Sequence, residues 1–130
     1  MATVTFRDET ATGKPVAELA VDGLPGRMSV RELIRLRVRE EVARHKARPR
    51  DRFNGLVRPD DAETALNGYR LREPRRIDWE RQADMAEQAF LANGYFVLTG
   101  DRQIEDLDEQ IDLTAAPDLV FIKLVALVGG

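Results

Sequence analysis

This 130-residue chain predicts an α+β fold: a mixed sheet crossed by one long helix, with an inserted helical or loop segment. Three observations predict it. Two stretches near the start alternate apolar and polar residues with a period of two, as half-buried strands do. A capped stretch follows in which apolar residues recur at helical spacing. The last fourteen residues, Pro117 to Gly130, hold a nearly unbroken apolar run, LVFIKLVALV, broken only by Lys123. A short run this rich in Val and Ile is a strand, and strands buried on both faces normally sit mid-sheet.

Taking the elements in order, Thr3 to Arg7 places Val4 and Phe6 on one face and Thr3, Thr5 and Arg7 on the other. Asp8 to Lys14 contains Thr, Asp and Gly13 and turns the chain. Pro15 to Asp22 alternates again, with Ala17, Leu19 and Val21 expected inward, so the two strands make an antiparallel hairpin. Gly23-Leu24-Pro25-Gly26 ends it, because proline cannot donate to a ladder.

Ser29 followed three residues later by Glu32 is the signature of a capping box. Val30, Leu33, Ile34, Val38 and Val42 then form one stripe, leaving Arg31, Arg35, Arg39 and Glu40 for solvent. The spacing predicts a helix over about 29–45.

Between Lys46 and Asn93 three Asn-Gly pairs mark turns, and the first two suit small hairpins, such as Ala65-Leu66 with Tyr69-Arg70. Asp78 is placed to cap a second helix carrying Trp79, Ala83, Ala86 and Phe90 on one face, and Asn93-Gly94 is placed to end it. Tyr95 to Thr99 predicts a strand, Gly100-Asp101 a turn, and Arg102 to Ile104 a short return strand. An acidic loop with apolar anchors at Leu107, Ile111 and Leu113 leads to the final strand.

Composition narrows the function classes. No run approaches the roughly 20 apolar residues that span a bilayer, and no basic-then-apolar leader opens the chain, so cytoplasmic residence is expected. There is no cysteine, hence no disulfide, thiolate catalysis or Cys-ligated zinc. The single Ser29 and the single His45 stand at opposite ends of the first helix, roughly 24 Å apart at 1.5 Å per residue. They cannot meet as nucleophile and base, so the inventory argues against an enzyme. The acidic run Asp101, Glu105, Asp106, Asp108, Glu109 and Asp112 lacks the spacing of a calcium loop. Neither a metal nor a cofactor is expected.

The net charge of −3 conceals an asymmetry: residues 46–77 carry +4 and the remainder −7. Arg48, Arg50, Arg52, Arg70, Arg72, Arg75 and Arg76, interleaved with Phe53 and Tyr69, form a candidate basic surface. Single-strand binders combine such groups, but nucleic-acid modules are basic as whole domains, and this chain is acidic. Pairing with acidic residues or a protein partner is the plainer use of those arginines.

The order of these elements, together with their residues, resembles the ubiquitin-like β-grasp family. Phe96-Val97-Leu98-Thr99-Gly100-Asp101-Arg102-Gln103-Ile104-Glu105-Asp106 resembles the family's third and fourth strands, and Asp108 through Leu113 its short helical loop. Leu119 to Gly130 resembles its last strand and terminal diglycine. The resemblance implies a single domain over residues 1–130, with an insertion at 46–94 between the first helix and the third strand. It further implies a handle at Gly129-Gly130, since glycines without Cβ can thread a narrow channel and present a carboxylate. On that reading the chain is a bacterial-type protein modifier or carrier, a substrate whose partners are an activating, adenylating enzyme and an acceptor protein. The family also includes sulfur carriers that bear a terminal thiocarboxylate, and non-conjugated interaction modules. On the last strand one alternating set faces a partner; Phe121, Lys123, Val125 and Leu127 are the expected set, with Val120, Ile122 and Leu124 as the alternative.

Overall fold

The structure, a computed structural model, describes residues 1–48, 52–53, 55–59, 63–65, 68–71 and 77–123. In chain order the elements are β1 (Ala2–Glu9), β2 (Pro15–Leu24), β3 (Arg27–Ser29), α1 (Val30–Ala47), β4 (Arg52–Phe53) and β5 (Glu63–Ala65). β6 (Gly68–Arg70), α2 (Trp79–Leu91), β7 (Tyr95–Thr99), β8 (Arg102–Ile104), β9 (Gln110–Asp112) and β10 (Asp118–Lys123) follow. They fall into two compact units, one of Met1–Arg31 with Phe90–Gly130 and one of Glu32–Ala89.

The first unit holds a mixed sheet of five strands in the order β2-β1-β10-β7-β8. β1 and β2 pair antiparallel as the alternation predicts, with Val4 opposite Val21 and Phe6 opposite Leu19. The register slips between Ala2 and Val4, where Gly23 has a φ of 74°, a conformation open to glycine. This slip lets β2 run on to Leu24. β10 takes the central place. It runs parallel to β1 and antiparallel to β7, and the parallel ladder opens with the Thr5 N–H donating to the Pro117 carbonyl at 2.8 Å. β7 and β8 keep their expected limits, joined by a turn in which Gly100 has a φ of 59°.

Alternation sets one buried face. Ala2, Val4 and Phe6 of β1, Leu119 and Phe121 of β10, Tyr95 and Val97 of β7 and Ile104 of β8 are all buried. Their rings form a chain: Phe6 meets Phe121 edge-on at 5.9 Å, Phe121 meets Tyr95 at 5.9 Å, and Tyr95 meets Phe90 at 6.2 Å. β2 is an edge strand, and there the expectation needs correction. Leu19 and Val21 are only half-buried and Ala17 is exposed.

A second, two-stranded sheet pairs β3 with β9, Met28 opposite Ile111. The short helical loop expected over Asp108 to Leu113 is therefore partly a strand, because Arg27–Ser29 supplies a ladder that no local pattern announces. The anchors Leu107, Ile111 and Leu113 are buried as expected. The acidic residues between them shape turns: the Asp106 carboxylate accepts from the Asp108 N–H at 2.8 Å, and Asp112 from the Thr114 N–H at 3.0 Å. This loop also meets the start of α1, where the Val30 and Arg31 N–H groups donate to the Glu109 and Leu107 carbonyls, both at 2.9 Å.

In the second unit α1 buries Leu33, Ile34, Val38 and Val42, the stripe its spacing predicts. Arg37 is also buried, with its guanidinium 3.1 Å from Glu41 one turn on. α2 starts on Asp78, whose carboxylate accepts from the Glu80 N–H at 3.0 Å, and ends at Asn93 with a φ of 59°; both caps stand where the sequence puts them. A three-stranded sheet runs β4-β6-β5. Its β5–β6 hairpin pairs Ala65 with Gly68 and Glu63 with Arg70, two residues out of the register expected from Ala65-Leu66 with Tyr69-Arg70. No helix among the described residues is long and apolar enough to cross a membrane.

Candidate functional site

The site singled out by the sequence is Gly129-Gly130, and β10 is the last described element before it. β10 enters between β1 and β7 with Asp118 opposite Thr5, and its last residue, Lys123, stands opposite Tyr95. Gly129, Gly130, Val125 and Leu127, all named as site residues, lie outside the described residues, as does Leu124.

Phe121 corrects the expected partner-facing set. It is fully buried at 0 % exposure between Phe6 and Tyr95, so it belongs to the core and is not available to a partner. Lys123, of the same set, is half-buried. The alternative set faces the other way. Val120 pairs with Leu98 and Ile122 with Phe96, and these four apolar side chains, all half-buried, make a two-by-two block on the second face of the sheet. Arg7 lies beside Val120 in register and is engaged by Glu18 at 2.8 Å and Asp118 at 3.7 Å.

The basic surface is only partly placed. Arg48 is exposed just past the end of α1. Arg52 and Arg70 stand opposite each other in register across β4 and β6, so two of the named arginines come together along the backbone. Arg50, Arg72, Arg75 and Arg76 lie outside the described residues. Among the described residues no three Asp, Glu or His side chains gather to hold a metal ion. Ser29 stands directly before α1 at the cap position, and His45 is buried in the helix's last turn.

Two features escaped the sequence. In the second unit Arg35 donates to Asp84 at 2.8 Å and to Glu87 at 2.6 Å, tying α1 to α2. These hydrogen bonds to Asp84 and then Glu87 raise the guanidinium above its ordinary range. Trp79 is half-buried, with Arg35 at 6.0 Å and Arg39 at 5.7 Å from its ring. Acidic residues on the exposed side of α2 were the available signal, but their partner is far off in sequence.

The second feature is a cleft of about 160 Å³ at the corner where α2 ends and the β7–β8 hairpin begins. Phe90, Leu91, Asn93, Tyr95, Phe96, Gln103, Ile104 and Glu105 line it. Nearby, Arg102 donates to Glu109 at 3.0 Å and makes a second, parallel contact to the same carboxylate. That pairing holds the Glu109 carboxyl below the usual carboxylate range. No family model, curated protein or solved structure matches this chain.

Proposed function

We propose that this chain is a ubiquitin-like β-grasp protein, a modifier whose Gly130 carboxylate is activated by a separate adenylating enzyme. The observation that carries the reading is the place of β10. A closing strand that runs parallel to β1 in the middle of a five-stranded mixed sheet, with the first hairpin on one side and a later hairpin on the other, is the arrangement such proteins use. A strand held there by Leu119 and Phe121 provides a rigid stem for whatever follows Lys123.

In the proposed chemistry the Gly130 carboxylate attacks the α-phosphorus of ATP and pyrophosphate leaves. A cysteine thiolate of the activating enzyme then attacks the acyl carbon and AMP leaves. The resulting thioester passes to a lysine amine of the acceptor, forming an amide and returning the thiol. This chain supplies the acyl group and no catalytic residue. If a sulfide equivalent takes the place of the thiol, the product is a thiocarboxylate, which is the sulfur-carrier version of the same handle.

A non-conjugated interaction module is the second reading. The observation favouring it is the block of Phe96, Leu98, Val120 and Ile122, which could seat a fixed partner.

The test is an N-terminally tagged chain produced in its native cells. The full chain should yield adducts that survive denaturation and carry an amide from Gly130 to lysine, and the chain lacking Gly129 and Gly130 should yield none. Identical adducts from both chains, or none from either, would remove the modifier reading. A terminal mass changed by the exchange of one oxygen for sulfur would select the carrier instead.

A further inference from the structure

We propose that the cleft between the end of α2 and the β7–β8 hairpin receives an extended basic segment of a partner protein, which adds to β8 as a further strand and seats one apolar side chain in the cleft. The inference concerns a different surface from the chain end and stands without the diglycine.

β8 occupies one end of the strand order, so among the described residues no strand lies beside its outer edge. An open edge presents unpaired N–H and carbonyl groups and is a template for an added strand. What distinguishes this edge is the cleft alongside it. Phe90 and Tyr95 form its buried floor, and Leu91, 67 % exposed, stands at its rim. A single exposed apolar side chain is ordinary by itself; here it adjoins a cleft with a buried aromatic floor.

Volume and charge then select the occupant. About 160 Å³ falls well short of the roughly 300–1,000 Å³ of small-molecule sites, and suits a single apolar side chain. Asp101 precedes β8, and Glu105 and Asp106 follow it; all three are exposed, and none is paired with a cation among the described residues. The one cation of the strand, Arg102, is already held by Glu109. The edge is therefore acidic, which repels nucleic acid and attracts lysine or arginine on either side of the apolar anchor. The opposite edge, β2, differs in that acidic groups on it are already engaged. Its Glu18 is engaged by Arg7 at 2.8 Å and its Asp22 accepts from the Thr3 hydroxyl at 2.7 Å.

The probe is a fluorescein-labelled heptapeptide, Lys-Val-Lys-Leu-Lys-Val-Lys, titrated by anisotropy against the full chain, with the same peptide carrying Glu for Lys as control. The basic peptide should bind in the micromolar range and the acidic one should not. Leu91→Asp should weaken binding about tenfold through loss of apolar contact, and Glu105→Lys about fivefold through reversal of an exposed charge. Val16→Asp, on the exposed β2 edge, should leave binding unchanged. Amide shifts in the NMR spectrum should cluster at Tyr95, Phe96 and Arg102 to Asp106. Equal binding of both peptides, equal binding by the Leu91 and Glu105 variants, or shifts centred on β2 would each overturn the proposal. The chain lacking Gly129 and Gly130 should bind as the full chain does, so the fate of the modifier reading leaves this result untouched.

Discussion

The sheet unit and the unit of residues 32–89 are held together by different physics. In the sheet unit the described interior is apolar but for Ser29, 8 % exposed beside the start of α1: Val4, Phe6, Val97, Leu119 and Phe121 are each at most 1 % exposed, and ion pairs such as Arg7 with Glu18 lie at the surface. Residues 32–89 bury polar groups as well. Arg37 is 4 % exposed, His45 9 % and Gln82 3 %, and Gln82 donates to the Val57 carbonyl at 3.1 Å. Apolar burial is non-directional and scales with area, whereas a buried charge or amide is tolerated only when specific partners reach it. The first unit rests mainly on the area it buries; the second depends in addition on particular polar contacts.

The largest effect expected from this contrast is at Phe121. Phe121→Ala removes the ring that touches both Phe6 and Tyr95 and should cost about 3–5 kcal/mol in urea unfolding. A cost under about 1 kcal/mol, far below core truncations, would mean that the strand is not central to stability.

Glu41→Gln tests the other side of the comparison. It removes the carboxylate charge 3.1 Å from the buried Arg37 guanidinium and should cost about 3 kcal/mol, although the side chain keeps its size. If it is neutral, residues 32–89 rest on apolar burial as the sheet does, and the contrast dissolves.

The smallest effect is at the surface of the sheet unit, in the response to acid. Glu109 is depressed below the usual carboxylate range by the hydrogen bond from Arg102, and Asp112 by the hydrogen bonds from the Thr114 hydroxyl and N–H. A carboxyl with a lowered folded pKa contributes its stability above the unfolded pKa. That contribution is lost as pH falls through the folded pKa, so the urea midpoint should drop in the acid range. Glu109→Gln should make that drop shallower while changing little near neutrality. A variant with an unchanged acid profile would show that solvent screens the pair completely.

Much of the fold was legible where its signals are local. The Tyr95–Thr99 and Arg102–Ile104 strands, the Gly100 turn, the Asn93 stop and the Asp78 cap each follow from a backbone requirement that one or two residues meet. The β3–β9 pair was not legible, since three residues on each side carry no period of their own and are strands only by virtue of each other. Nor was the cleft, whose lining comes from two stretches, 90–96 and 103–105, that a turn brings side by side.

Sequence alone determined that β10 would be a strand with two alternating apolar sets, that α1 would bury the stripe from Val30 to Val42, and that acidic residues would crowd the loop after Ile104. Those properties depend on neighbours within a few positions. Only tertiary structure decided that Phe121 faces the core while Val120 and Ile122 face the other side, and that Arg37, on a helix with four exposed or half-exposed arginines, is the one buried. The face a strand buries is set by the strands beside it, here β1 and β7, which lie far from β10 in the chain.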